Sequence, residues 1–144
     1  MPANRQATGL VVARIFIGVF MLFTGLGKLG WLVSAAPLSA QLHGWLETAW
    51  PANRWFLLTI AIPGAQLFAR LVALGELSCG VALVLGAWTR LAALLGFLMV
   101  LTFLFSSGAI FQYRFLTNGY GLPVLGTLLA LAIGGAKLPW SVKR

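Results

Sequence analysis

Apolar side chains dominate this chain, and polar ones break the pattern at only a few places. Four long apolar runs occupy residues 10–26, 68–88, 91–105 and 120–136. Each approaches or reaches the ~17–25 residues that cross a hydrocarbon core once its boundary residues are included. A backbone in lipid must satisfy its own hydrogen bonds, so each run is expected to be a helix. The expected spans are about 9–28, 68–88, 91–109 and 120–137. The fold expected is an all-α integral membrane protein. It is a four-helix transmembrane bundle with a long interfacial helical connection between its first and second helices, forming a single membrane domain over residues 1–144.

The connections differ in kind. Only Thr89 and Arg90 separate the second and third runs, which makes those helices antiparallel neighbours. The third and fourth are joined by a short polar loop with Gln112, Arg114, Thr117 and Asn118. The connection over residues 29–67 is too long for a simple turn. It carries Trp31, Trp45, Trp50 and Trp55, four of the six tryptophans, and Pro37, Pro51 and Pro63 punctuate it. Tryptophan favours the headgroup boundary. Residues 38–50 therefore read as an interfacial helix and 55–62 as a second short helix or re-entrant piece. Pro63–Gly64 then turns the chain into the second span. This connection is either a lid packed over the bundle or the cover of a ligand pocket.

Composition supports the membrane reading. Hydrophobic residues are 60% of the chain and charged residues 8%, against about 25% charged in a soluble domain. Mean hydropathy is +0.96. Ten Lys and Arg against Glu47 and Glu76 give a formal charge of +8. The cations stand singly between apolar runs, which argues against nucleic-acid binding and suits anionic headgroups at membrane boundaries. Cys79 is the one cysteine, so an intramolecular disulfide is excluded. Val33–Ser34–Ala35 resembles a signal-peptide cleavage site, but Lys28 and a glycine-rich stretch separate it from the first apolar run, and that run is expected to be retained. With four spans, Arg5, Arg14, Arg90, Lys137, Lys143 and Arg144 share the side of the termini. Lys28, Arg54, Arg70 and Arg114 take the other. The excess points to cytoplasmic termini in a bacterial-type inner membrane.

Charges at membrane depth need partners. On the first helix, Arg14, Gly18, Met21, Gly25 and Lys28 share one face. On the second, Glu76, Gly80, Leu83, Ala87 and Arg90 do the same. Both sets span fourteen residues, about 21 Å of rise. If Arg14 and Arg90 lie near one boundary of two antiparallel helices, Lys28 and Glu76 come to similar depth near the other. Lys28 and Glu76 are therefore expected to pair, with Arg14 snorkelling toward headgroups. The pair serves either as a fixed register mark or as a polar functional site. Small residues at helical spacing (Gly75, Cys79, Ala82, Gly86 on the second helix; Gly126, Ala130, Gly134 on the fourth) are expected to be packing faces. His43, the only histidine, cannot build a bis-histidine haem site, and so few carboxylates make a metal cage improbable.

The stretch from Arg14 through Phe20, followed by Gly25–Leu26–Gly27–Lys28–Leu29, resembles the first helix of the DoxX superfamily. Leu67 through Val72, then Gly75–Glu76–Leu77, Gly80, Leu83, Gly86 and Thr89–Arg90–Leu91, resembles its second. The long connection with Pro63 is similar to the DoxD branch, which includes the small membrane subunit of thiosulfate:quinone oxidoreductase. The resemblance implies a four-helix membrane bundle associated with quinone-linked redox complexes. Its pattern carries over to Arg14, Lys28, Glu76 and Arg90. The candidate catalytic residues are Glu76 and Lys28, and the candidate cofactor contacts are Arg14, Trp45, His43 and Arg70. A quinone is the implied cofactor, and lipid and other membrane subunits are the implied partners. Arg54, Arg70 and Arg114 are placed to attract an anionic sulfur substrate or an acidic partner. A non-catalytic accessory or scaffold subunit is the alternative. A solute transporter fits less well, because no span is interrupted by proline at its centre.

Overall fold

The computed structural model describes residues 2–142. Lys143 and Arg144, two of the cations assigned to the side of the termini, lie outside the described residues, as does Met1. The described chain is all-helical. Its α-helices are α1 (Pro2–Leu26), α2 (Ala36–Glu47), α3 (Pro51–Phe56), α4 (Ala65–Leu85), α5 (Thr89–Ser106) and α6 (Leu122–Gly134). Three of them, α1, α4 and α5, are long and apolar enough to cross a membrane.

The fourth expected span is shorter than the apolar run that suggested it. Helix α6 has 13 residues, about 20 Å at 1.5 Å per residue, against a hydrocarbon core of ~30 Å. Pro123 stands in its first turn, where a missing N–H costs nothing. Gly134 and Gly135 end it. The connection between α4 and α5 also differs from expectation. It comprises Gly86–Ala87–Trp88, and Thr89 and Arg90 already belong to α5. Gly86 closes α4 with left-handed backbone, φ 73°, the conformation that glycine adopts without a Cβ penalty.

Helices α1 and α4 run antiparallel at unusually close range. A methyl group built on Gly80 would stand 2.5 Å from the Leu22 amide nitrogen, and one on Gly25 2.9 Å from that of Leu77. Gly18 meets Val84 in the same way. Without side chains at these points the two backbones meet, as small residues allow in membrane helices. The face expected on α1 is the one that is buried: Arg14, Gly18, Met21 and Gly25 all face inward. Met21, Leu83, Leu128 and Leu131 fill the main core that α1, α4, α5 and α6 share. Helix α6 buries Val124, Leu125, Leu128 and Leu131. Of the small-residue stripe expected to pack it, Gly126 and Ala130 face outward, because the large apolar residues fill the inner face, whereas a methyl group built on Gly134 would stand 3.3 Å from the Leu10 side chain of α1.

The long connection makes a second, smaller core. Leu38 and Leu42 of α2 meet Leu57, Ala61, Ala65 and Ala69. Helix α2 starts two residues before the expected 38 and ends three before 50; Pro37 sets its first turn. The second short piece is α3 running into a π-helical turn, Leu57–Ala61. This assembly packs on α4 through α2 and on α5 through α3.

Candidate functional site

The two cores meet at one ion pair. Lys28 lies in the turn just past α1, where its amide bonds the Gly25 carbonyl at 3.0 Å. Glu76 lies mid-way along α4. The Lys28 Nζ donates to both carboxylate oxygens at 2.7 Å. Glu76 is 3% exposed, and the Lys28 side chain keeps 20%. The pairing expected from helical spacing is thus formed. Its register differs in detail, because Arg14 reaches Gly86 rather than standing level with Arg90. Both long cationic side chains lean along α4 toward its middle, and this reach absorbs the offset.

Aromatic rings enclose the ammonium. Lys28 Nζ stands 5.6 Å from the ring centres of Trp31 and of Phe103, within range of cation–π attraction. Beyond Phe103 opens a cavity of about 280 Å³. Trp45, Phe56, Phe68 and Phe103 supply its flat walls, and Leu42 and Met99 fill between them. Trp45 and Phe103 meet edge to face at 5.8 Å. The polar groups on its wall are the hydroxyls of Thr102 and Ser106, which donate back to the carbonyls of Leu98 and Thr102. The ion pair does not line this cavity. It sits one ring deeper, behind Phe103. The long connection therefore both packs as a lid and covers a cavity.

The remaining expected contacts divide. Trp45 is on the cavity wall. His43, two residues away on α2, is exposed, with Nδ1 2.7 Å from the Ser39 carbonyl. Arg70 lies outside this cavity, in a neighbouring recess with Ser34 and Gln66, and donates to the Gln66 carbonyl at 2.7 Å. Arg14 is at the far end of the bundle. It does not snorkel: it is 1% exposed and donates to the Ser141 hydroxyl at 2.6 Å and the Trp140 carbonyl at 2.7 Å. The cause is the strap over residues 135–142, which folds back over α4, with the Val142 amide bonding the Leu85 carbonyl at 3.0 Å.

Sequence reasoning missed Trp31, Phe103, Thr24 and Tyr120. Tyr120, just before α6, brings its hydroxyl to Thr24 and within electrostatic reach of Glu76, and its ring meets Phe20 edge to face at 5.2 Å. A single tyrosine at the start of an apolar run was the only trace of this contact. Asn53 was missed as well. It is fully buried, donates to the Ser106 carbonyl at 3.2 Å, and leaves its Oδ1 without a partner.

Spanning-length apolar helices around a buried acid–amine pair define a polytopic membrane protein with an internal polar site. The DoxX family model matches residues 9–108, and the chain belongs to the DoxX family. The matched segment holds Lys28, Glu76 and every residue of the cavity wall. Comparison with curated proteins and with solved structures returned no significant match.

Proposed function

We propose that this chain is the membrane subunit of a quinone-linked oxidoreductase, of the DoxD-like kind, acting on a sulfur compound through a partner polypeptide. The observation that carries this reading is the aromatic cavity with a charged pair behind its wall. A flat apolar ring fits between Trp45, Phe56, Phe68 and Phe103, in a volume near the lower end of small-molecule pockets, about 300 Å³. A quinone supplies two-electron, two-proton chemistry when bound. Lys28 would donate a hydrogen bond or positive charge toward the ring oxygen once Phe103 turns aside. Glu76 would hold and pass a proton, with Tyr120 and Thr24 as the adjoining hydroxyls. Arg70, in its recess beside Ser34 and Gln66, would receive an anionic substrate or an acidic partner. In this reading α6 and its flanks complete a fourth crossing of a bacterial-type inner membrane, with both termini cytoplasmic.

An accessory role without chemistry is favoured by a different observation. Gly126 has open space where a side chain would project, and Ala130, one turn on, is exposed as well. Another membrane helix could approach it closely.

One titration separates the readings. A short-chain quinone added to the chain in lipid nanodiscs should quench tryptophan fluorescence saturably. Trp45→Phe should remove most of that saturable component. Quinol formation by the purified complex should fall in Glu76→Gln and Lys28→Met. A purely linear quench, with turnover untouched in both variants, would sink the redox reading and leave the accessory one.

A further inference from the structure

The end of the molecule opposite the ion pair holds a site of another kind. Among the described residues, the non-glycine positions with left-handed backbone are Trp88 (φ 46°), Lys137 (φ 54°) and Trp140 (φ 52°), and all lie there. Such backbone persists only where its surroundings hold it, and it gathers at ligand clamps and switches. Here it shapes a cavity of about 310 Å³ between the start of α5 and the strap. Its surface is mostly apolar, from Trp88, Leu91, Ala136 and Leu138, and the polar side chains of Arg90, Lys137, Thr89 and Ser141 stand around it.

The charge around it is one-sided. The Ser141 hydroxyl accepts from Arg14 at 2.6 Å, so a third cation stands directly behind the wall. Arg14 is 1% exposed, and its Nε has no partner among the described residues. Arg90 commits its Nε to the Ala132 carbonyl at 2.9 Å, and its side chain is otherwise exposed, as is that of Lys137. The chain's two acids are elsewhere: Glu76 is paired with Lys28, and Glu47 ends α2. The positive end of the α5 dipole adds to the same field.

We infer that this cavity binds the phosphate of an anionic lipid. Arg90 and Lys137 take the phosphate oxygens, and the Ser141 hydroxyl presents a wall polarised by Arg14. The flank of the cavity names a lipid rather than a free anion. Leu91, Leu94 and Leu95 continue from it as an exposed apolar track for acyl chains. Exposed Trp88 and Trp140 stand at its edge, and tryptophan settles at headgroup level.

The test compares the full-length chain with Arg90→Gln/Lys137→Gln, two exposed positions that leave the core intact. Lipid retention by native mass spectrometry and thermal stability in neutral detergent are read while phosphatidylglycerol, phosphatidylcholine or inorganic phosphate is titrated. Phosphatidylglycerol should be retained and stabilising, and phosphatidylcholine much less so. Each basic residue near an anionic headgroup is worth about fivefold in binding, so the double variant should bind phosphatidylglycerol ~25-fold more weakly. Lys137→Gln alone should show about fivefold, which keeps the test open if the double variant is poorly recovered. Equal retention of the two lipids would overturn the inference. So would undiminished selectivity in the variants. Stabilisation by inorganic phosphate alone would show a free-anion site and overturn the lipid assignment.

Discussion

Removing Lys28 while keeping Glu76 should be the most damaging conservative change at the joint between the two cores. The ammonium meets both carboxylate oxygens at 2.7 Å. At an effective dielectric of ~20, unit charges about 3 Å apart attract by about 5–6 kcal/mol. Desolvation consumes most of that, at several kcal/mol per ion. The intact pair therefore contributes little net stability, but a widowed Glu76, 3% exposed, keeps its burial cost without the attraction. Lys28→Met should cost about 3–5 kcal/mol. Glu76→Gln leaves the lysine, which retains 20% exposure and can turn outward, so about 1–2 kcal/mol is expected after discounting that range for solvent. The double variant should cost about 1–3 kcal/mol, the penalty for the buried amide left at position 76 without a partner, well short of the sum of the two single effects. Reversible unfolding in mixed micelles, run as a double-mutant cycle, measures the coupling directly. Additive single effects, with coupling below about 0.5 kcal/mol, would mean that the two charges do not stabilise each other.

Four further outcomes follow from the packing. Gly80→Ala should destabilise by about 1–3 kcal/mol through overpacking, although alanine is the better helix former by ~1 kcal/mol; the loss should show in thermal unfolding, because the new methyl meets the Leu22 backbone. Phe103→Ala should cost about 2–3 kcal/mol, below the ~3–5 of a fully buried ring. Phe16→Ala, on a face 75% exposed, should cost under about 1 kcal/mol in lipid, where an outward ring gains nothing by burial. Arg14→Met removes both side-chain bonds from Arg14 to the strap, each worth about 1.5–3 kcal/mol when the donor is charged, leaves the Val142–Leu85 backbone bond, and should speed tryptic cleavage after Lys137; unchanged cleavage would contradict the strap's dependence on Arg14.

What could be read from the chain alone was set by periodicity and by cost. Glu76 in an apolar run demanded a cation, and fourteen-residue spacings on two antiparallel helices named Lys28. Helix existence followed from hydropathy, but helix length did not. The fourth apolar run continues through residues where Pro123 and the Gly134–Gly135 pair have already set the ends of α6. Hydropathy cannot register that difference, because glycine and proline in lipid are apolar enough to pass. The stripe on α6 misled for a related reason. Small residues permit close approach, but they do not compel it, and four large side chains on the other face of the same helix fill the core instead.

Arg14 shows where local reasoning ends. A lone arginine near a helix start reads as a snorkelling cation, and every residue within reach along its own helix supports that reading. Its partners, Trp140 and Ser141, lie more than 120 positions away, in a segment whose return depends on left-handed turns that no hydrophobic pattern encodes. The same holds for Phe103, which became a wall between cavity and charge only when α5 was packed against the turn after α1. Both cases place the ambiguity at contacts between distant segments, whereas each span's identity is a local property. The two ends of α4 thus carry opposite electrostatic designs. Near its middle an acid neutralises one cation inside the bundle. At its C-terminal end a buried arginine is met, among the described residues, by a hydroxyl and a carbonyl, and the surplus charge is left for a partner outside the chain. Offsetting one of its three cations with an acid at position 141 should therefore anchor the strap through Arg14 and weaken the preference for phosphatidylglycerol about fivefold, because Arg90 and Lys137 remain. A Ser141→Asp variant that protects Lys137 from trypsin yet prefers anionic lipid as strongly as the parent would separate the strap from the lipid site.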